Sequence, residues 1–280
     1  MQVINTITQL QDYLQKGRAE GKSIGLVPTM GALHEGHASL VKRSVSENDI
    51  TVVSIFLNPT QFNDPKDLER YPRTLENDCT ILEQCGAQIA FAPSVSEIYP
   101  EPDTRQFSYP PTDSVMEGAR RPGHFNGVCQ IVSKLFLMTD PDRAYFGEKD
   151  YQQIAVIRRM VEDLKFKVNI IPCPVVREED GLAMSSRNTL LSQEEKEIAP
   201  NIYRILKESK TLGLPIEETQ KWVVSQVNVP EGLEVEYYSI VDGDTLAEIS
   251  DWSQAPSVVG CITVYCGKTP IRLIDHIRYK

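Results

Sequence analysis

The sequence lacks several features that would place it in a specialised class of protein. No apolar run approaches the roughly 18 residues that a membrane-spanning helix needs, so we expect no such span. The first twenty residues are too polar for a secretory signal, and we expect none. Internal repeats and low-complexity segments are also absent, which excludes a repeat architecture.

The chain carries less positive than negative charge. The chain has 29 Lys and Arg against 39 Asp and Glu, which gives a formal net charge of −10. Because such a molecule repels polyanions overall, we expect neither nucleic acid nor an anionic membrane as a main partner. A polyanionic ligand would have to meet a local cluster of positive groups.

The cysteines are not spaced as in a redox or metal-binding motif. None of the six forms a C-x-x-C pair or a metal-finger spacing. The six are Cys79, Cys85, Cys129, Cys173, Cys261 and Cys266. We expect reduced thiols in a cytoplasmic protein rather than a disulfide framework or a metal site.

Apolar runs alternate with helical patterns through the first part of the chain. Strands are predicted at 23–27, 49–57, 88–92, 143–146 and 167–176. The run at 49–57 is continuous and β-branched, as in strands that are buried on both faces of a parallel sheet. Five strands alternating with helices indicate an α/β fold with a Rossmann-like, doubly wound parallel sheet.

The pattern changes after residue 176. Ser192 and Glu195 have the spacing of a capping box, which predicts a helix to about residue 209. A second helix is predicted at 215–227, and three later runs indicate a small antiparallel sheet. The length of 280 residues suits two domains. We therefore predict domains at 1–176 and 177–280, the second being a smaller α+β domain.

Two of the four histidines, His34 and His37, lie in the turn after the first predicted strand, where a helix begins. A helix N-terminus favours negative charge, so one interpretation is that this turn supplies backbone N–H groups and imidazoles to a phosphate. A second is that the imidazoles cap or pack against the helix. A metal site is disfavoured, because the spacing is one residue short of H-E-x-x-H.

The run Pro-Thr-Met-Gly-Ala-Leu-His-Glu-Gly-His at 28–37 resembles the signature of the pantoate–β-alanine ligase family. Its last residues match the broader His-x-x-Gly-His motif of the nucleotidylyltransferase superfamily. Two further segments also resemble that family. Gly-Glu-Lys-Asp-Tyr-Gln-Gln at 147–153 is similar to its ATP-binding segment, and Met-Ser-Ser-Arg at 184–187 is similar to the Lys-Met-Ser-Lys-Ser loop of related synthetases.

The resemblance implies a ligase that condenses pantoate with β-alanine and converts ATP to AMP and pyrophosphate through a bound pantoyl adenylate. It implies ATP as a substrate with Mg²⁺, a cytoplasmic homodimer, and small molecules as the other partners. Domain 1–176 would bind nucleotide and pantoate, and 177–280 would act as a lid. Asp78 and Asp150 are loose candidates for the Mg²⁺ ligands.

The resemblance also implies roles for individual residues. The catalytic residues would be His37, His34, Lys149, Ser185 and Arg187. The ATP-binding residues would be Met30, Gly31, Ala32, Leu33, His34, Glu35, Gly36, His37, Gly147, Glu148, Lys149, Asp150, Val176, Met184, Ser185, Ser186 and Arg187. The substrate-binding residues would be Gln61, Gln153, Arg121 and His124. By composition alone, the segments 147–153 and 184–187 are also typical of solvated loops and helix caps.

Two other functions remain open from the sequence. A nucleotidylyltransferase that releases its adenylylated product would need no amine. A nucleotide-binding regulatory module would bind ATP without forming AMP.

Overall fold

The computed structural model describes all residues from Met1 to Lys280. The chain divides into two compact units, each built from three pieces. The first unit consists of Met1–Tyr109, Arg121–Glu148 and Val156–Pro174. The second unit consists of Pro110–Arg120, Lys149–Ala155 and Val175–Lys280. The second unit thus includes two earlier segments besides the C-terminal part that the sequence singles out.

Nine strands and eleven α-helices form the two units. The strands are β1 Gln2–Ile4, β2 Ile24–Thr29, β3 Ile50–Ile55, β4 Ile89–Phe91, β5 Arg143–Gly147, β6 Asn169–Cys173, β7 Leu233–Asp242, β8 Val258–Cys266 and β9 Ile271–Arg278. The helices are α1 Ile7–Ala19, α2 Glu35–Glu47, α3 Pro65–Arg70, α4 Leu75–Cys85, α5 Val95–Ile98, α6 Met116–Arg120, α7 His124–Thr139, α8 Tyr151–Asp163, α9 Gln193–Ile198, α10 Asn201–Ser209 and α11 Ile216–Val227.

The first unit is built on a six-stranded sheet with the order β1-β4-β3-β2-β5-β6. Every neighbouring pair of strands is parallel. The chain adds strands on one side of β2 and then continues with β5 on its other side, so the strand order reverses between β2 and β5. In open α/β sheets, ligands bind beyond the carboxyl ends of the strands at such a reversal. The predicted Rossmann-like sheet is confirmed.

Buried strands and the apolar face of α2 position the turn that carries the paired histidines. Five of the six residues of β3 are buried, as its β-branched sequence predicts. Helix α2 buries Ala38, Leu40 and Val41, and these side chains pack in one core cluster with Val27 of β2. The helix N-terminus is therefore held at the carboxyl end of β2.

The second unit contains an antiparallel sheet with the order β7-β8-β9. Helices α10 and α11 cover it, and their apolar residues share a core cluster with the sheet. Residues Ile205, Leu206, Val223, Ile240 and Ile262 are among its buried members. The predicted small C-terminal α+β region is confirmed.

Three details differ from the sequence prediction. Strand β1 pairs with β4 and makes six parallel strands instead of five, because three residues at a sheet edge carry too little pattern to be recognised. Pro28 lies inside β2, opposite Ser54, although prolines usually end strands. The single helix predicted after Ser192 is two, α9 and α10, because Pro200 lies between them.

No helix of this chain has the length and apolar character that crossing a bilayer requires. All six cysteines are free thiols, and five of them are buried.

Candidate active site

The turn between β2 and α2 has an unusual backbone. Gly31 and Ala32 both have positive φ angles, of 82° and 50°. A Cβ atom on Gly31 would lie 3.0 Å from Oδ2 of Asp78 and 3.1 Å from Cγ2 of Ile55. Glycine is therefore needed at position 31 both for its φ angle and for the space.

A buried carboxylate holds this turn. The N–H groups of Ala32 and Leu33 donate to Oδ2 and Oδ1 of Asp78, at 3.0 Å and 2.8 Å. The hydroxyl of Thr74 also donates to Oδ1 of Asp78, at 3.0 Å. Sequence reasoning considered Asp78 only as a metal ligand, because nothing in the sequence shows that α4 packs behind this turn.

The two imidazoles cap α2 through one nitrogen each. His34 is the N-cap residue, and its Nδ1 accepts from the N–H of Gly36 at 3.1 Å. Nδ1 of His37 accepts from the N–H of His34 at 3.4 Å, and the ring centroids are 4.1 Å apart. Because both Nδ1 atoms accept, a neutral ring carries its proton on Nε2. In that tautomer Nε2–H is the N–H group with which each ring can donate a hydrogen bond.

The backbone of this turn is less available to a ligand than the sequence suggests. Five of its N–H groups form hydrogen bonds within the first unit, those of Gly31, Ala32, Leu33, His34 and Gly36. The imidazoles, rather than these N–H groups, are therefore the donors best suited to bind phosphate.

Gln61 lies in a 3-10 turn after β3 and is almost buried, with 9% of its surface exposed. Its Oε1 accepts from Nδ2 of Asn58 at 3.2 Å, and its Nε2 lies 3.1 Å from the sulfur of Met30. The structure therefore brings together Gln61 and Met30, two predicted site residues. Sequence reasoning did not single out Asn58, although a polar residue directly after a buried strand was an available signal.

Helix α7 packs closely against this 3-10 turn. A Cβ on Gly127 would collide with the backbone of Thr60 and Gln61, so only glycine allows this approach. Nδ2 of Asn58 donates to the carbonyl of Gly127 at 3.1 Å. Tyr99 donates its hydroxyl proton to Oδ1 of Asn58 at 2.9 Å. These contacts fix the position of Gln61.

Arg121 and His124 lie beside the same turn. Nδ1 of His124 is 2.9 Å from the carbonyl oxygen of Gln61, and its Nε2 is 3.3 Å from Nη1 of Arg121. Since a carbonyl only accepts and a guanidinium only donates, Nδ1 carries the proton and Nε2 accepts. Nε of Arg121 is also 3.4 Å from Oδ1 of Asn63. Gln61, Arg121 and His124 therefore form one polar cluster.

In the second unit, Lys149 begins a segment that leads into α8. Its Nζ is 3.3 Å from Oδ2 of Asp150. Tyr151 donates to the carbonyl of Gly243 at 2.8 Å, which attaches this segment to the end of β7. Gln153, predicted to contact pantoate, is half-buried in the first turn of α8.

Glu117 joins the two early segments of the second unit to its sheet. Its N–H donates to Oε1 of Gln152 at 3.0 Å. Its carboxylate accepts two bonds from Arg272, at 2.5 Å and 2.7 Å, and one each from Tyr237 and Thr263 at 2.8 Å. Burial would raise the pKa of Glu117, but Arg272 and the two hydroxyls outweigh it and lower the pKa to about 2. No sequence motif pointed to Glu117.

The predicted loop at 184–187 follows a short hairpin in the second unit. Met184 donates its N–H to the carbonyl of Val176 at 3.0 Å, so these two predicted ATP-binding residues are neighbours. Oγ of Ser185 accepts from the N–H of Arg187 at 3.3 Å and caps a 3-10 turn. The capping interpretation of this serine is therefore correct for its Oγ.

The residues do not form a protein-held metal centre. No group of three or more His, Cys, Asp and Glu side chains is arranged to hold a metal ion. Both oxygens of Asp78 already accept hydrogen bonds, and Asp150 faces Lys149. A Mg²⁺ ion would therefore have to take most of its ligands from the nucleotide and from water.

The parallel sheet with its reversal beside β2, together with two imidazoles at the carboxyl end of that strand, defines an α/β enzyme of the nucleotide-binding kind. A family model described as pantoate-beta-alanine ligase matches residues 2–278. The chain belongs to this family, and it is accordingly a ligase that joins pantoate to β-alanine.

Individual relatives agree with this assignment over their whole length. A pantothenate synthetase of Bacteroides thetaiotaomicron is 62% identical over 282 residues, covering 100% of this chain and 99% of the relative. The crystal structure of pantothenate synthetase from Thermus thermophilus has a TM-score of 0.93 at 42% identity, covering 100% and 99%. A pantoate-beta-alanine ligase from Francisella tularensis, described as complexed with beta-gamma ATP and β-alanine, has a TM-score of 0.84 at 36% identity, covering 100% and 98%.

Proposed function

We propose that this ligase uses ATP to activate pantoate as a bound pantoyl adenylate. A carboxylate does not accept an amine directly, because its leaving group would be oxide. In the first step a pantoate carboxylate oxygen bonds to the α-phosphorus of ATP, and the bond to pyrophosphate breaks. In the second step the ammonium group of β-alanine first gives a proton to water. The free amine then bonds to the acyl carbon, the bond to AMP breaks, and the nitrogen releases a second proton to water as the amide forms.

The paired imidazoles are the observation that carries this proposal. His34 and His37 each use Nδ1 to cap α2 and retain a proton on Nε2. Their Nε2–H groups donate to the phosphoryl oxygens as charge moves toward the leaving pyrophosphate. Because capping already orients the rings, little reorganisation is needed when the nucleotide reacts.

Residues of the second unit supply the charge that a triphosphate requires. Lys149 provides an ammonium group, Arg187 a guanidinium and Ser185 a hydroxyl. Because the chain is acidic overall, the placement of these positive groups in segments that follow β5 and β6 is significant. We assign the other predicted ATP-binding residues to the same nucleotide: Met30, Gly31, Ala32, Leu33, Glu35, Gly36, Gly147, Glu148, Asp150, Val176, Met184 and Ser186.

The polar cluster of the first unit is assigned to the substrates. Gln61 and the Arg121–His124 pair offer amide and guanidinium donors, which suit the hydroxyls and carboxylate of pantoate. Gln153 of the second unit is assigned to pantoate as well.

We also propose that Mg²⁺ enters with ATP, that the enzyme is cytoplasmic and that it forms a homodimer. Mg²⁺ would screen the charge of the triphosphate. The six free thiols support a reducing compartment. The homodimer rests on family resemblance.

An omission assay tests the proposed course of the reaction. The enzyme is incubated with ATP, pantoate and β-alanine, leaving out one at a time, and AMP, pyrophosphate and pantothenate are quantified. Without β-alanine, we expect about one pyrophosphate per active site, because the adenylate stays bound. Continuous release of pyrophosphate without β-alanine would show instead that the adenylate is a released product.

A further inference from the structure

We propose that Asp78 is a positioning residue for the adenylation step, acting through the backbone of the turn between β2 and α2, residues 30–34, which we call the histidine turn. This role of Asp78 depends on the proposed role of the imidazoles. The assignment differs from that of a metal ligand, which the sequence alone suggested.

The surroundings of Asp78 carry this proposal. Its side chain is completely buried, with 0% exposure. Its partners are two backbone N–H groups and one hydroxyl, and no cation lies within ion-pair distance. Burying a carboxylate is unfavourable unless hydrogen bonds replace its hydration. The three donors satisfy that requirement, so the carboxylate and the turn stabilise each other.

The shape of the turn explains why a carboxylate is needed. Gly31 and Ala32 both have positive φ angles, and the N–H groups of Ala32 and Leu33 donate to the two oxygens of one carboxylate. Only a carboxylate supplies two acceptor oxygens at this position. Asp78 therefore orients the peptide that leads directly into His34.

Replacing the carboxylate changes the turn without removing a group that contacts substrate. The side-chain amide of the variant Asp78→Asn would offer one acceptor oxygen and would place an NH₂ group against a backbone N–H. The turn must relax, and the imidazoles move with it. A displacement of about 1 Å at a reacting centre lowers the rate by about 100-fold. We therefore expect kcat for pantoate-dependent pyrophosphate release to fall by about 100-fold, while the KM for ATP changes by less than about 3-fold.

The experiment compares D78N, Thr74→Val and Asp12→Asn with the wild type. Thr74→Val removes one of the three donors to Asp78, and Asp12 is an exposed aspartate on α1 that serves as the matched control. The measurements are kcat, the KM for ATP, thermal unfolding, and ¹⁵N chemical shifts of the imidazoles in the free enzyme. We expect D78N to shift the Nδ1 signals of both rings, T74V to act in the same direction with a smaller effect, and D12N to match the wild type.

Several results would overturn the proposal. Rescue of D78N by more Mg²⁺ or by Mn²⁺, with unchanged imidazole signals, would assign Asp78 to the metal. A lower unfolding temperature with normal kcat would make its role purely structural. If D78N does not fold, T74V decides, and imidazole signals and kcat equal to the wild type would refute the proposal. The imidazole signals report on Asp78 even if a His37 variant proves fully active, so the two failures are distinguishable.

Discussion

Asp78 in the first unit and Glu117 in the second are both buried carboxylates, but their partners differ. Asp78 is held by two backbone N–H groups and a hydroxyl. Glu117 is held by two hydroxyls and by the guanidinium of Arg272, which also binds Glu236. We call these two sets of contacts anchors: the anchor at Asp78 consists of neutral donors, and the anchor at Glu117 contains an ion pair.

The two anchors serve different needs. The neutral donors to Asp78 fix the backbone of the turn that carries the imidazoles. The proposed role of those imidazoles depends on the orientation of each ring and on which nitrogen carries the proton. An ion pair joins distant pieces of chain, and Glu117 ties the segments 110–120 and 149–155 to the sheet of the second unit. Damage to the first anchor should therefore lower the rate, whereas damage to the second should lower the stability.

The largest expected effect is a loss of rate when His37, which follows the histidine turn, is replaced. His37→Ala should reduce pantoate-dependent pyrophosphate release by about 100- to 1000-fold, because a preorganised donor to the transition state is lost. His37→Asn retains an acceptor near the position of Nδ1 but has no group at Nε2. We expect it to unfold at the wild-type temperature and to be as slow as the alanine variant. Wild-type turnover in either variant would contradict the proposed role.

A second test separates stability from rate in the other unit. Glu117→Gln should lower the free energy of unfolding by about 1.5–3 kcal/mol, because Arg272 loses one of its two carboxylate partners and keeps only Glu236. Glu218→Gln, on the exposed face of α11, is the matched control and should have almost no effect. Chemical denaturation measures both. An E117Q protein as stable as the control would show that the ion pair contributes nothing.

The ion pair should also make the second unit sensitive to acid. The pKa of Glu117 is lowered to about 2 from 4.5. A lowered pKa means that the carboxylate stabilises the fold above about pH 4.5 and loses that contribution as the pH falls toward 2. The shift corresponds to about 3 kcal/mol. Between pH 5 and 3, the free energy of unfolding from denaturation curves should therefore fall more steeply with decreasing pH for the wild type than for E117Q. Equal slopes would contradict this.

The smallest expected effect concerns the turn that carries Gln61. Tyr99→Phe removes the hydroxyl that donates to Asn58 and should cost about 1 kcal/mol of stability. The KM for pantoate should rise slightly, because Asn58 supports the Gln61 amide. Tyr109→Phe, which loses a bond to the exposed Asp163, is the control. The effect should not vary between pH 5 and 8, since only neutral partners are involved, and a pH-dependent loss would contradict this.

Sequence patterns predicted most of the fold but missed features that depend on distant neighbours. The apolar run of β3 and the amphipathic pattern of α2 are local, so both elements were located correctly. Strand β1 was missed because it is only three residues long and is stabilised by pairing with β4, far along the chain. The predicted helix after Ser192 ignored the effect of Pro200, although that signal was present.

The candidate site follows the same division. Its motifs are contiguous, so the order of residues alone was enough to recognise the family and to predict roles for His34, His37 and Lys149. The supports of those motifs could not be found, because Asp78 reaches the turn from a helix more than forty residues later, and Glu117 meets Arg272 from a distance of 155 residues along the chain. Backbone conformation and hydrogen-bond partners depend on such long-range packing. Folding therefore decided which nitrogen of each imidazole accepts a hydrogen bond from the backbone and hence where a neutral ring carries its proton.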